Sequence, residues 1–181
     1  MMLKEMKLRT LSLIEEVNPN SELLTDDVDI QAKINYVIDM KQNELARIKK
    51  IAALETMKVK ENDQIDLQKD ISNFYKLSKI SGVDFDIFDN IVIFKEDGEV
   101  SIYYWKYPKM ITTDTKDDEY KFELSTDVLE IMPLGVAADL LKSDISAQYG
   151  QVYEKAYQNA LNMLDINVSN AKCKIVGGID V

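Results

Sequence analysis

Apolar and polar positions recur with two different periods along this chain, and the change of period divides it. In residues 3–17, Leu3, Met6, Leu8, Leu11, Leu13 and Ile14 form approximately one helical stripe, which predicts a helix there. Asn18-Pro19-Asn20-Ser21 supplies a stop and a turn. Asp26 or Asp27 can cap a second helix, with acidic charge at the favourable end of its dipole. That helix is predicted over 27–53, with Ile30, Ile34, Val37, Ile38, Leu45, Ile48 and Ile51 on one broad face and charged residues opposite. The two helices form an antiparallel pair joined by a modest loop.

From Met57 the period shortens to two. Residues 59–61 and 65–67 read as short strands around the polar turn Glu61-Asn62-Asp63, and 74–80 alternates Phe74, Lys76 and Ser78 against Tyr75, Leu77 and Lys79. Ile91-Val92-Ile93-Phe94 is a strand, Glu96-Asp97-Gly98-Glu99 a hairpin turn, and 100–107 the returning strand, ended by Pro108. An acidic loop or hairpin follows over 109–121, and then Tyr120, Phe122 and Leu124 alternate.

The helical period returns after Asp127, which with Glu130 makes a capping-box-like start. Pro133 suits a first turn, so the helix is predicted over 134–149, with Gly150 as its C-terminal cap. Another is predicted over 151–165, with Val152, Tyr153, Ala156, Tyr157, Ala160, Leu161 and Leu164 on one face. Residues 167–181 read as an extended arm. The expected fold is α+β and mainly α. It is an antiparallel bundle of about four helices in a single domain, 1–166, with a small antiparallel sheet or hairpin insertion over 57–124.

Composition narrows the chemistry. The 181 residues contain no histidine, which removes the commonest general base and the commonest zinc ligand together. Serine–histidine and cysteine–histidine nucleophilic systems are excluded. The single cysteine, Cys173, has no internal disulfide partner. A net charge of −10, from 32 acidic and 22 basic residues, disfavours nucleic-acid binding as the main task. No apolar run is long enough to span a membrane, and a cytosolic origin is expected. No cofactor is expected.

Three constellations merit weighing. Asp84, Asp86 and Asp89 lack the later ligands of a calcium loop, since Phe88 and Lys95 occupy the fifth and twelfth positions. Asp114, Asp117, Asp118 and Glu119 could hold a metal ion for a hydrolase only if other oxygens opposed them; a solvated loop is the plainer reading, and no metal site is expected. Alternation in 100–107 places Tyr103, Trp105 and Tyr107 on one strand face, either as core or as a contact surface between subunits or with a regulatory partner.

Y-P-K-M-I-T (107–112), L-G-V-A-A-D-L-L-K-S-D (134–144) with A-Q-Y-G after it, and the terminal G-G-I-D-V resemble the head–tail connector (adaptor) proteins of tailed bacteriophages and prophages. The resemblance extends to the order of elements over most of the chain. It implies a non-enzymatic subunit, made in the bacterial cytoplasm and placed in the virion at the head–tail interface. Its partners would be the portal protein, tail or stopper proteins, and identical copies in a ring of about a dozen. DNA would pass through the channel without specific binding. In related connectors the C-terminal arm reaches the portal, which here implies Lys174, Ile175, Val176, Gly177, Gly178 and Ile179. Lys174-Ile175-Val176 and Ile179 alternate enough to add a strand to a neighbouring sheet edge, with Gly177-Gly178 as a joint in the arm.

Overall fold

The computed structural model describes residues 1–18, 20, 24–142 and 147–164. In chain order its elements are α1 (Leu3–Leu13), α2 (Val28–Ile48), β1 (Ile51–Val59), β2 (Gln64–Asp66), α3 (Leu67–Asp70), β3 (Phe74–Ser81), β4 (Phe85–Phe88), β5 (Ile91–Phe94), β6 (Gly98–Lys106), α4 (Thr126–Leu140) and α5 (Ala147–Met163). They make two lobes, each around its own apolar cluster.

In the helical lobe α4 is central, touching α1, α2 and α5. Its sequence is apolar nearly all round, and Val128, Leu129, Met132, Val136 and Ala137 are buried. The helix α2 presents one stripe to it, burying Ile34, Ile38, Lys41 and Leu45. Asp27 caps α2 by accepting the Ile30 N–H at 2.9 Å. In the β lobe, two antiparallel three-stranded sheets, ordered β1-β6-β3 and β2-β5-β4, turn their inward faces to a shared core that includes Val59, Ile80, Val92, Phe94 and Ile102.

The segment between β6 and α4 is clamped along α2 by polar side chains one helical turn apart. Asn35 Nδ2 donates to Thr112 O at 2.8 Å, the Ile111 N–H donates to Asp39 Oδ1 at 2.7 Å, and Gln42 Nε2 donates to Lys109 O at 2.8 Å. The Tyr120 hydroxyl lies 2.9 Å from Gln42 Oε1 and 2.6 Å from Lys109 O, and burial pushes its pKa up to about 12.

The mainly-α bundle with a small β insertion is not what forms. Five helices and six strands give 43% helix and 25% strand among the described residues, an α+β fold with substantial sheet. The largest error is at 49–59. Ala52-Ala53-Leu54-Glu55 favours helix locally, but β1 pairs with β6 over its whole length, from Ile51↔Lys106 to Val59↔Gly98, and that ladder decides the conformation. The second helix therefore stops at Ile48, and the strands span 51–106 instead of lying within 57–124.

Residues 85–88, which lie in none of the expected strands, form β4. The first helix ends at Leu13, short of the predicted 17. Pro133 lies inside α4 instead of opening it; the helix begins eight residues before the predicted start, after Ser125. Proline in a helix interior costs about 3 kcal/mol, and burial of α4 on three neighbouring helices outweighs that. Gly150 is within α5, not at a cap. A Cβ there would stand 3.3 Å from Ala138 O, so this glycine permits close approach of α5 to α4.

Candidate functional site

The period-two face of β6 is where the structure gathers the predicted contact residues. Ile102 and Tyr104 point into the core, while Tyr103 is 41% exposed and Trp105 and Tyr107 are half-buried on the outward side. Cross-strand register sets their neighbours: Leu54 of β1 and Lys79 of β3 flank Tyr103, and Ala52 and Lys76 flank Trp105. Lys50 lies over the Trp105 ring, 5.7 Å from its centroid, a cation–π arrangement. Tyr107 leans on Tyr75 with ring centroids 4.8 Å apart. Lys50, Lys76 and Lys79 are all exposed, and none makes an ion pair among the described residues.

The result is an apolar and aromatic floor rimmed by unpaired cations, on a protein whose net charge is −10. Leu54 is 56% exposed on the edge strand β1, beside Tyr103 of the central strand. Such a face can bind a partner surface that offers an apolar knob with carboxylates around it. Leu54 and the three lysines were not among the predicted site residues. For Leu54, Lys76 and Lys79 the signal is their pairing beside Tyr103 and Trp105, which exists only once register is known; Lys50 lies just before β1.

The acidic constellations resolve differently. Asp117 pairs with Lys7 at 2.8 Å, Asp118 with Lys4 at 3.3 Å, and Glu119 with Lys116 at 2.8 Å. Those carboxylates are tied to separate lysines, and among the described residues no three His, Cys, Asp or Glu side chains converge as a metal site. Asp86 pairs with Lys95 at 2.7 Å, and Asp89, at φ 54°, takes the first place of the two-residue turn joining β4 to β5. The arm residues Lys174, Ile175, Val176, Gly177, Gly178 and Ile179 lie outside the described residues.

A second polar cluster holds the helical lobe together. Lys41, nearly fully buried, donates to Glu44 Oε2 at 2.8 Å and to Asp139 Oδ2 at 2.9 Å, with its ammonium 4.7 Å from the centre of the Tyr157 ring. The Tyr157 hydroxyl donates to Glu44 Oε1 at 3.0 Å, and its pKa is raised, first by burial and then by the nearby Glu44 carboxylate. Burial opposes ionisation of Asp139, but hydrogen bonds from Lys142 and Lys41 outweigh it and hold the carboxyl below its ordinary value. Gly135 makes room for this cluster: a Cβ there would fall 2.9 Å from Lys41 Cδ and 3.0 Å from Tyr157 Cε2.

Compared with models of protein families and with curated proteins, the sequence matches none. No helix among the described residues is long and apolar enough to cross a membrane.

Proposed function

We propose that this chain is a structural, non-enzymatic subunit of the head–tail connector of a tailed bacteriophage or prophage, forming a ring on the portal and joining head to tail. The observation that supports it is the exposure of large apolar side chains on three separate elements: Val28 (73%) and Tyr36 on α2, Leu54 on β1, and Phe88 (81%) on β4. A subunit in a ring must cover two unlike surfaces with its neighbours and a third with the structure it sits on. Scattered single apolar residues are ordinary, but here Tyr36 and Met40 are one turn apart on α2, and Leu54 and Tyr103 are direct cross-strand partners. The arm, 167–181, is assigned to the portal on the resemblance in its terminal residues.

Native mass spectrometry of the full chain, alone and mixed with the portal protein of the same genome, tests this. A near-stoichiometric complex is expected, and deleting 167–181 should abolish it. An intact portal ring that binds none of the full chain would overturn the reading. The exposure of Tyr103 beside the Lys50-capped Trp105 favours one second reading, a small regulatory module that uses this face on a non-virion protein. A monomer that ignores the portal and binds such a defined partner through Tyr103 would establish it.

A further inference from the structure

The β lobe carries two uncovered apolar surfaces of opposite charge. The first is the outward face of β1-β6-β3, where Leu54, Tyr103 and Trp105 are rimmed by Lys50, Lys76 and Lys79. The second is the tip of the β4–β5 hairpin. There Phe88 is 81% exposed and pairs across the turn with Ile91, 40% exposed, beside the carboxylate of Asp89, while Asp86 on the same strand is held by Lys95. The inward faces of both sheets share one core, so the outward faces turn away from it in different directions.

We infer that neighbouring copies of this chain join head to tail, with the Phe88 hairpin tip of one copy seated on the Tyr103–Leu54 face of the next. The inference rests on the self-association in the connector reading and specifies the surfaces that carry it. Two unlike patches on one molecule make a heterologous contact, which closes into a ring when the rotation between copies allows. Charge selects the occupant. Two copies at −10 each repel over most of their surfaces, and the lysine-rimmed face is a place where a second copy can approach with attraction. The hairpin tip supplies what that face lacks, an apolar knob with the Asp89 carboxylate, which makes no ion pair among the described residues, at its side. A nucleic acid would satisfy the lysines and could stack on the aromatic rings, but it offers no apolar cover for Leu54.

The test uses two full-chain variants, Phe88→Asp and Tyr103→Asp, followed by sedimentation velocity and native mass spectrometry. Wild type is expected to associate with rising concentration, and each variant alone to associate at least about 30-fold more weakly, as for loss of an interface anchor. An equimolar mixture should give a discrete heterodimer and nothing larger, because each variant keeps the surface that the other has lost. That product also shows both variants to be folded. Variants that assemble like wild type, or a mixture that stays monomeric while wild type assembles, would overturn the inference and leave the connector reading intact. Wild type that stays monomeric at every concentration would also overturn it, and only failure on the portal as well would remove the connector reading. Quenching of Trp105 emission by oligothymidylate in such a monomer would reassign the face to nucleic acid.

Discussion

Replacing Gly82 by alanine is expected to destabilise the protein by at least about 3 kcal/mol, combining backbone strain with overpacking. Gly82 has φ +127°, a region that side chains with a Cβ rarely adopt. It immediately follows β3, and an added Cβ would fall 2.1 Å from Glu99 O and 3.0 Å from Val100 Cα. Both obstructing atoms are backbone, so no rotamer change can relieve the clash. Relief would require the end of β3 to leave β6 near the Ser81↔Ser101 pair. Gly98→Ala is the control. Its Cβ would meet Val83 Cγ1 at 2.4 Å, a side-chain atom that can turn away, so the loss should be smaller. Urea unfolding followed by Trp105 emission, the only tryptophan signal in the chain, measures both. A loss under about 1 kcal/mol for Gly82→Ala would contradict the close approach of β3 and β6 described above.

Asp139→Ala is expected to cost about 3 kcal/mol, because it leaves the buried Lys41 ammonium with only the more exposed Glu44 as partner. The double variant Lys41→Met with Asp139→Leu should recover most of that loss, since it removes both charges and fills the space with apolar atoms. The pH dependence follows from the direction of the shift. The folded-state pKa of Asp139 lies below its ordinary 3.8, so its contribution is complete above the unfolded value and is lost as pH falls through the lower folded value. Lys41 behaves in mirror image. Burial works against its charge, but hydrogen bonds to Glu44 and Asp139 raise its pKa above 10.5, so its contribution persists below that value and is lost as pH rises through the folded one. Wild type and Asp139→Ala should therefore differ in stability across the neutral range and converge in acid. Equal stability at neutral pH would place the anchoring of α2 to α4 elsewhere.

Periodicity alone located β5, β6 and the start of α2 closely, but it carried α2 five residues past its end at Ile48. It misplaced β1, whose Leu54 is apolar yet outward, so the strand imitates a helix until its partner β6 is known. It also separated Lys76 from Lys79, which simple alternation puts on opposite faces. Irregularities in β3, between Phe74 and Lys76 and between Leu77 and Lys79, shift the phase so that both lysines pair beside the aromatic residues of β6. The aromatic half of the contact face was thus readable in one strand, while its cationic rim depended on bulges and on register. Lys41 and Asp139 escaped notice for a related reason. They lie on helices far apart in sequence, and charged residues at those positions look solvated until the third helix, with Tyr157, covers them.

The directly opposed strand ends Ile51 and Lys106 have an architectural consequence. The chain leaves α2 at Ile48, enters the sheets at Ile51 and departs at Lys106, so both connections run side by side. The six strands are in this sense a cassette held at one doorway. Bridging Lys49 to Tyr107 by a short flexible linker would leave α1, α2, α4 and α5 continuous, with the Asn35, Asp39 and Gln42 clamp still gripping the segment beyond the junction. The outward faces can thus be exchanged, enlarged or excised as a unit while the helical scaffold keeps its own core.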